Sequence, residues 1–207
     1  MGAGASMTAE KSDTGSNVKV VGLLAMGLTL IMIGLGLLPS PYANGFAGHW
    51  AAFPIASIFG GIVLAVVGLL ALSKGHLYWG SAFTSYGAFF LVWASTLTSY
   101  NSLGGGPFAG VFSYGLAGFT FVFLLMTLTY LVSSLKHGWM AFFLFLFFFV
   151  SFVLWLSEYW TIGAGNSVSK GMEWATGGLT ILTGLLAWYM ATAHLTNTTY
   201  GKKFLPG

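Results

Sequence analysis

Residues 139–160 read WMAFFLFLFFFVSFVLWLSEYW, a run with one acidic and no basic residue. A helix that crosses the hydrocarbon core of a bilayer needs about 20 apolar residues, and this run supplies them. Aromatic side chains occur on all its sides and it lacks glycine, so we expect it to face lipid or a neighbouring subunit, with one or two inner phenylalanines available to narrow a pore. Trp139, Tyr159 and Trp160 fit interfacial aromatic belts.

The rest of the chain has the same character. Its 207 residues are 57% hydrophobic and 5% charged, with a mean hydropathy of +0.85, whereas soluble domains carry about 25% charged residues. So few charges could not cover the surface of a soluble fold. The chain is therefore predicted to be an all-α integral membrane protein with six transmembrane helices, at residues 19–38, 51–73, 77–97, 110–133, 138–160 and 171–194.

The lysines indicate the orientation. The chain has no arginine, and all its lysines except Lys170 fall at the two termini or in the second and fourth loops. The positive-inside rule puts both termini in the cytoplasm, as an even number of spans requires. We expect a multi-pass protein of the plasma membrane, with a cytoplasmic N-terminal tail (1–18), a six-helix transmembrane domain (19–194) and a cytoplasmic C-terminal tail (195–207). Residues 1–6 fit a myristoylation pattern, but Met7 offers a native start, so they are expected to be a cloning remnant.

No ionisable group falls in the middle of a predicted span. Glu158, Glu173 and His49 lie near outer ends, where we interpret them as solvated residues, and a role in gating the outer mouth stays open. Catalytic acids, nucleophiles or metal ligands would have to converge, and the chain has no cysteine. It is therefore predicted not to be an enzyme, to hold no metal or other cofactor and to bind no nucleic acid.

The many glycines predict close helix packing. Small residues let helix backbones approach each other in lipid, and a spacing of seven residues keeps them on one face. Some of them could also leave room for a solute. The glycines that we assign to such faces are Gly27 and Gly34, Gly61, Gly68 and Gly75, Gly115 and Gly118, and Gly177, Gly178 and Gly184.

A hydroxyl-rich segment opens the third predicted span. Residues 82–90 read AFTSYGAFF, and Thr84, Ser85 and Tyr86 fan across one half of the helix. Serine and threonine can bond back to their own helix, but tyrosine needs another partner. With no buried charge available, a solute crossing here must be small and weakly charged or protonatable. A short carboxylate fits that description better than a phosphate, a sugar or a metal ion.

This segment resembles the signature of the acetate transporter family, the succinate–acetate permeases. Two further motifs in the same order strengthen the likeness: Asn17 with Gly22-Leu23 at the first helix, and NTTYGKKFLPG at residues 197–207. The second helix also keeps a glycine pair, Gly60-Gly61. The two prolines of the family's opening motif are absent, and Leu64 and Ala71 replace a glutamine and a glutamate of the second helix, which favours passive movement over tight proton coupling.

The resemblance implies a homohexamer in the lipid bilayer in which every six-helix protomer has its own pore. It also implies a hydrophobic constriction formed by Met26, Tyr86 and Phe148, and a link between Ala187 and substrate size. We include Phe83, Thr84, Ser85 and Asn17 in the expected pathway. Acetate or another small monocarboxylate, with succinate as a further substrate, is the expected solute.

Two other functions are compatible with the same residues. A hexameric channel for a neutral solute such as urea or a short amide would share the six-helix layout and the uncharged interior. A non-transporting membrane scaffold or sensor would pass no solute. Channel-like movement and proton symport are not distinguished by these residues.

Overall fold

The computed structural model describes residues 3–39, 49–102 and 109–206, and within these ranges the regular structure is helical. The side chains of residues 3–17, 49–51, 100–102 and 109 lie outside this description. The helices in chain order are α1 (Ala3–Leu37), α2 (His49–Ile55), a π-helical segment (Ala56–Val63), α3 (Leu64–Ser73), α4 (Leu77–Ser102), α5 (Ala109–Ser134), α6 (Trp139–Gly163) and α7 (Lys170–Tyr200).

Five of the described helical segments are long and apolar enough to cross a membrane. They coincide with five of the six predicted spans within a few residues at most ends, and they confirm the all-α membrane class: Val18–Leu37, Ala52–Ser73, Gly110–Ser134, Trp139–Gly163 and Lys170–Tyr200. The second of these is one continuous helical span that consists of α2, the π-helical segment and α3. Helix α4 covers the remaining predicted span, the third, but it is not among the segments that reach the hydropathy of a membrane span, because it contains several serines, threonines and tyrosines.

The outward faces of the helices are apolar. Large exposed side chains recur along α3, α5 and α6, and they include Leu69, Val111, Val122 and Val132. A water-soluble protein rarely exposes so much contiguous apolar surface. The polar side chains of the spans bond back to their own helices or lie between helices, which is the arrangement that lipid demands.

Helices α1 and α7 form the closest seam in the molecule. A Cβ atom added to Gly184 would lie 2.7 Å from the carbonyl oxygen of Gly27, and one added to Gly27 would lie 2.8 Å from the carbonyl oxygen of Gly184. Gly34 and Gly177 form a second reciprocal pair, at 2.8 and 2.9 Å. Backbone lies against backbone at both pairs, so the predicted small-residue packing is confirmed for this seam.

Helices α3 and α4 form a second seam. A Cβ on Gly68 would collide with the backbone amide and hydroxyl of Thr84, and a Cβ on Gly87 would lie 2.6 Å from the amide nitrogen of Ala65. Gly75, which we predicted on this face, instead forms the turn between the helices, where its φ of +83° favours glycine.

Other glycines face away from the bundle. Gly115, Gly118 and Gly178 have no atom of the described chain within 4 Å of an added Cβ. The prediction that they pack helices together is therefore wrong within one protomer. Their small surfaces lie on the outer faces of α5 and α7.

Helix α6 differs from our expectation that it faces lipid or a neighbouring subunit. Only one of its faces looks outward, through Phe143, Val150 and Val153. Its other face is buried among aromatic side chains, because bulky rings can fill an interhelical space as effectively as glycines can close one. The buried aromatic residues of α6 are Phe145, Phe148, Phe152 and Trp155.

The α1–α7 seam generates a stability prediction with a control on the same helix. We expect Gly184→Ala to destabilise the protein by about 1–3 kcal/mol, because the new methyl group meets rigid backbone. Gly178→Ala should be neutral or stabilising by up to about 1 kcal/mol, because its methyl group meets open space and alanine favours a helix. Thermal unfolding in detergent measures both, and equal shifts of the same sign would contradict the seam.

Candidate functional site

Helices α1 and α4 run in the same direction, and they approach each other at regular intervals along their length. The Lys19 ammonium lies 4.9 Å from the centre of the Trp79 ring, and one turn further on the Phe83 ring fills the space beside Gly22. Two turns beyond that, Thr29 and the Phe90 ring both border Gly60 of the π-helical segment. The intermediate turn of this series carries Met26 on α1 and Tyr86 on α4.

Tyr86 lies at the centre of the bundle. It is fully buried, and its ring centroid lies 4.8 Å from that of Phe148 on α6. The rings of Phe145 and Phe152 lie one turn to either side, at 6.2 and 6.4 Å. Met26 is buried in the same core cluster. Met26, Tyr86 and Phe148 are thus all buried in one apolar core cluster, and Tyr86 and Phe148 contact each other within it.

The Tyr86 hydroxyl has a partner on α5. It donates to Thr127 Oγ1 at 2.9 Å, and Thr127 in turn donates to the Phe123 carbonyl oxygen at 2.7 Å. The ring therefore has a fixed orientation, since rotating it would leave a buried hydroxyl without a partner. Sequence reasoning identified Tyr86 but not Thr127, because many threonines in the chain have the same local setting.

The other hydroxyls of the segment point in different directions. Ser85 Oγ lies 3.2 Å from the Tyr130 hydroxyl of α5. Thr84 faces α3 beside Gly68, and its buried Oγ1 has no partner among the described atoms. Successive residues on a helix are about 100° apart, so Thr84 and Tyr86 contact different neighbouring helices rather than one common face.

The remaining predicted residues are distributed as follows. Ala187 is fully buried on α7, and Phe83 is buried where α4 meets α1. Asn17 lies in α1, but its side chain is outside the described part of the structure, as is that of His49 at the start of α2. The described side chains contain no group of three or more candidate metal ligands.

Tryptophans and a buried carboxyl group lie towards the ends of α4 and α6. Trp93 and Trp155 stack at 5.9 Å, and their indole nitrogens donate to Tyr159 and Thr180. Glu158 is only 8% exposed and its Oε1 has no partner among the described atoms. Our interpretation of Glu158 as a solvated residue is therefore wrong: it lies on the inward face of α6, which periodicity could not reveal in a helix that is apolar all round.

A cavity opens at the end of the bundle where α6 begins and α7 ends. Its volume is about 370 Å³, and its lining includes Lys19, His137, Met190 and His194. A second cavity, of about 760 Å³, lies between α4 and α5, where the rings of Tyr78 and His137 stack at 3.9 Å. Sequence reasoning placed Lys19 at the start of a span and gave no signal that it shares a cavity with His194.

The C-terminal motif has a structural explanation. Asn197 Oδ1 accepts hydrogen bonds from the amides of Phe204 and Leu205, at 2.7 and 2.9 Å, while its Nδ2 donates to the Leu205 carbonyl at 2.8 Å. The Tyr189 hydroxyl donates to the Pro206 carbonyl oxygen at 3.1 Å. These bonds fold the tail back against α7.

Apolar helices of membrane-spanning length, close glycine seams and an uncharged aromatic centre define a multi-pass membrane protein. A sequence profile described as the GPR1/FUN34/yaaH family matches residues 3–203, so the chain belongs to that family. The family resemblance read from the three motifs is thereby confirmed.

Individual relatives match over almost the whole chain. The succinate-acetate/proton symporter SatP of Escherichia coli K12 is 28% identical over 92% of this chain and 94% of its own. An uncharacterised protein of Methanothermobacter thermautotrophicus is 28% identical over 94% of this chain and 92% of its own. The solved structure of the bacterial acetate channel SatP superimposes with a TM-score of 0.77 at 26% identity, covering 92% of this chain and 97% of that one. The family and this structural neighbour are transporters or channels and not enzymes.

The bond between Tyr86 and Thr127 can be tested by a double-mutant cycle. We expect Tyr86→Phe and Thr127→Val to show a coupling of about 1 kcal/mol in the free energy of unfolding in detergent, because each removes one side of a buried hydrogen bond. The control pair, Tyr86→Phe with Ser157→Ala, should be additive, since the Ser157 hydroxyl bonds to its own helix at Val153. Additivity of both pairs would show that the bond does not orient Tyr86.

Proposed function

We propose that this protein carries acetate across the membrane through a narrow channel inside each protomer, with succinate as a further substrate. One observation carries the proposal: Tyr86, the tyrosine of the family signature, is buried at the centre of the bundle and its ring contacts Phe148. A succinate-acetate/proton symporter and an acetate channel are among the proteins that resemble this chain over nine tenths of its length.

The centre of the bundle favours a small solute of low charge. Met26, Tyr86 and Phe148 form the proposed constriction, and an apolar constriction selects by size and hydration. A bare carboxylate would lose several kcal/mol of hydration there, so protonated acetic acid crosses this step most easily. The hydroxyl of Tyr86 donates its proton to Thr127, so towards the solute it can act only as a hydrogen-bond acceptor.

The Thr29 hydroxyl is the second polar group at this level that we propose to contact the solute. Thr29 is fully buried, its Oγ1 has no partner among the described atoms, and it lies beside Gly60. A π-helical segment inside a longer helix frequently marks a functional site. A buried hydroxyl without a partner is costly, and a carboxyl group that passes close by would satisfy it.

The wider assembly is also proposed. Helix α4 serves as the sixth membrane crossing, since its 26 residues span about 39 Å and its large aromatic side chains are mostly buried. Gly115 and Gly118 leave a smooth surface on α5 where a neighbouring protomer of a homohexamer can pack. The lysine distribution supports cytoplasmic termini in the plasma membrane.

Uptake into proteoliposomes tests the function. We expect purified protein to take up radiolabelled acetate, with unlabelled acetate and succinate but not urea as competitors. Uptake of urea that acetate does not inhibit would support the alternative of a neutral-solute channel. Absence of uptake for acetate, succinate and urea would support a non-transporting role instead.

Proton coupling needs a separate measurement, because the relative from Escherichia coli is named a proton symporter whereas the solved structure is named a channel. We expect acetate to equilibrate in proteoliposomes clamped at equal pH on both sides, with or without a protonophore, as in a channel. Accumulation driven by a pH gradient, beyond that of protein-free vesicles and abolished by the protonophore, would indicate symport.

Replacing the central tyrosine tests the constriction. Tyr86→Ala widens the narrowest point, so we expect uptake of butyrate, which is two methylenes longer, to rise at least about tenfold relative to that of acetate, because a size-selective pocket discriminates by about this factor for a single methylene. The control is Tyr200→Ala, at an exposed tyrosine, which should leave the ratio unchanged. Size-exclusion chromatography checks that both variants assemble, and an unaltered ratio in assembled Tyr86→Ala would remove Tyr86 from the pathway.

A further inference from the structure

The cleft between α4 and α5 contains the larger of the two cavities described above, at the end of the bundle where α4 begins and α5 ends. Its volume is about 760 Å³, and Leu77, Thr129 and Ser133 of its lining are exposed at the outside of the protomer. Helix α5 packs mainly against α6 and contacts α4 much less. The described helices therefore leave this cleft unfilled.

One wall of the cleft has a fixed shape. The Tyr78 ring stacks on the His137 imidazole at 3.9 Å and packs edge-on against the Tyr130 ring at 6.2 Å. The Tyr78 hydroxyl donates to the Tyr130 carbonyl oxygen at 3.3 Å. These contacts join α4, α5 and the loop before α6, so they hold His137 at the edge of the cavity in the absence of a ligand.

Basic residues lie at the rim of this cavity. His76 and His137 line it, and Lys74 and Lys136 lie two residues and one residue before them in the chain. One lysine–histidine pair belongs to the α4 side of the cleft and the other to the α5 side, so the helix packing brings the two pairs together. The Nε2 atom of His76 has no partner among the described atoms, so no hydrogen bond to this atom holds the ring.

The cleft changes from basic to apolar along its length. Its basic end is the one that the lysine distribution assigns to the cytoplasm, and the acidic side chains that the structure describes, Glu158 and Glu173, lie at the opposite end of the bundle. Further into the membrane the lining includes Met126, and the exposed surface of α5 at this depth is apolar, at Val122 and Leu125. The outer half of the cleft holds a separate cavity of about 390 Å³, whose described lining residues include no charged side chain.

We propose that the basic half of this cleft binds a phospholipid with an anionic headgroup, such as phosphatidylglycerol, from the cytoplasmic leaflet. The phosphate lies between the two lysine–histidine pairs, which can donate charge-assisted hydrogen bonds to it. The first turn of α4 also favours an anion here, because its amides have no partners within the helix. An acyl chain continues along the apolar surface towards Met126. Basic pockets between transmembrane helices on the cytoplasmic side are typical sites for such headgroups.

The distribution of charge and apolar surface favours a lipid over other occupants. A soluble anion would need only the basic rim, whereas the cavity continues onto the apolar, outward surface of α5. A neighbouring protomer in the same orientation would bring its own basic end to this depth, and like charges repel. The surface proposed above for that neighbour, at Gly115 and Gly118, lies in the outer half of the cleft.

The inference does not depend on which solute the protein carries. A lipid in the cleft stabilises α5 against α4, where the two helices have few contacts of their own. Tyr130 borders the cleft, and its ring centroid lies 5.8 Å from that of Tyr86. The lipid therefore supports the bundle close to its aromatic centre.

Lipid binding to the purified, delipidated protein in a neutral detergent tests the site. We expect phosphatidylglycerol to raise the unfolding temperature more than phosphatidylcholine with the same acyl chains, because a ligand of the folded state stabilises it. Glycerol phosphate, which has the phosphate but no acyl chain, should not produce this rise. Equal stabilisation by the two lipids, or an equal rise with glycerol phosphate, would overturn the proposal.

Removal of the two lysines tests the headgroup contact. We expect Lys74→Gln/Lys136→Gln to weaken phosphatidylglycerol binding by about fivefold for each lysine, measured from the lipid concentration that gives half of the rise in unfolding temperature. The control is Lys202→Gln/Lys203→Gln, which removes the same charge from exposed positions at the same end of the bundle, outside the cavity. Equal phosphatidylglycerol binding by the two double variants would overturn the site.

A bulky side chain in the cleft tests the shape of the site without a change of charge. Thr129→Trp places a large ring in the cavity at an exposed position, so we expect it to abolish the rise caused by phosphatidylglycerol. The control is Leu128→Trp, at the exposed neighbouring residue outside the cavity lining, which should retain that rise.

Light scattering during size-exclusion chromatography reports the assembly of both tryptophan variants. We expect both to keep the oligomeric state of the unaltered protein. An altered oligomeric state in Thr129→Trp alone would assign the cleft to a neighbouring protomer and overturn the lipid site. Unchanged phosphatidylglycerol binding by Thr129→Trp would overturn it as well.

Discussion

The close approach of α1 and α7 is the constraint on which the rest of the structure depends. In lipid, apolar side chains gain nothing by leaving the solvent for a helix interface, so helices associate through packing at small residues. The reciprocal contacts of Gly27 with Gly184 and of Gly34 with Gly177 provide that packing. They fix α1 against α7 and so determine which side chains of each helix face the bundle interior.

The bundle separates its polar groups by depth. Most described hydroxyls in the spans bond to their own helices or to each other, as Thr127 does with Phe123 and Tyr86, whereas the buried hydroxyls of Thr29, Thr84 and Thr120 have no partner among the described atoms. Basic groups gather at one end, at Lys19 and His194, and a buried carboxyl group, Glu158, lies towards the other. Aromatic rings occupy the centre.

Bulky and small residues have complementary roles in this packing. Glycine faces bring α1 to α7 and α3 to α4, whereas the rings of α6 fill the space that remains beside α4. A helix such as α6 therefore does not need a small face in order to be buried. Its apolar composition predicted a membrane span correctly, but the same composition could not show which side was inward, because both sides are apolar.

The candidate site was predictable only in part. The motif around Tyr86 identified the residue that lies at the centre, since a buried tyrosine in an apolar helix needs a partner. Its partner Thr127 and the different helices that Thr84 and Ser85 face were not predictable. Those contacts depend on which neighbouring helix each position faces, and every helix of this bundle has several neighbours.

The sequence by itself determined the membrane class, the positions of five apolar helices and the family, because length, hydropathy and motif order are properties of the chain alone. The tertiary structure alone decided that Glu158 is buried, that Gly75 forms a turn and that Lys19 shares a cavity with His194. The physical reason is that burial and proximity arise between helices. The hydropathy pattern determines which residues lie within a membrane span, but only the packing of the helices determines which neighbour each residue contacts.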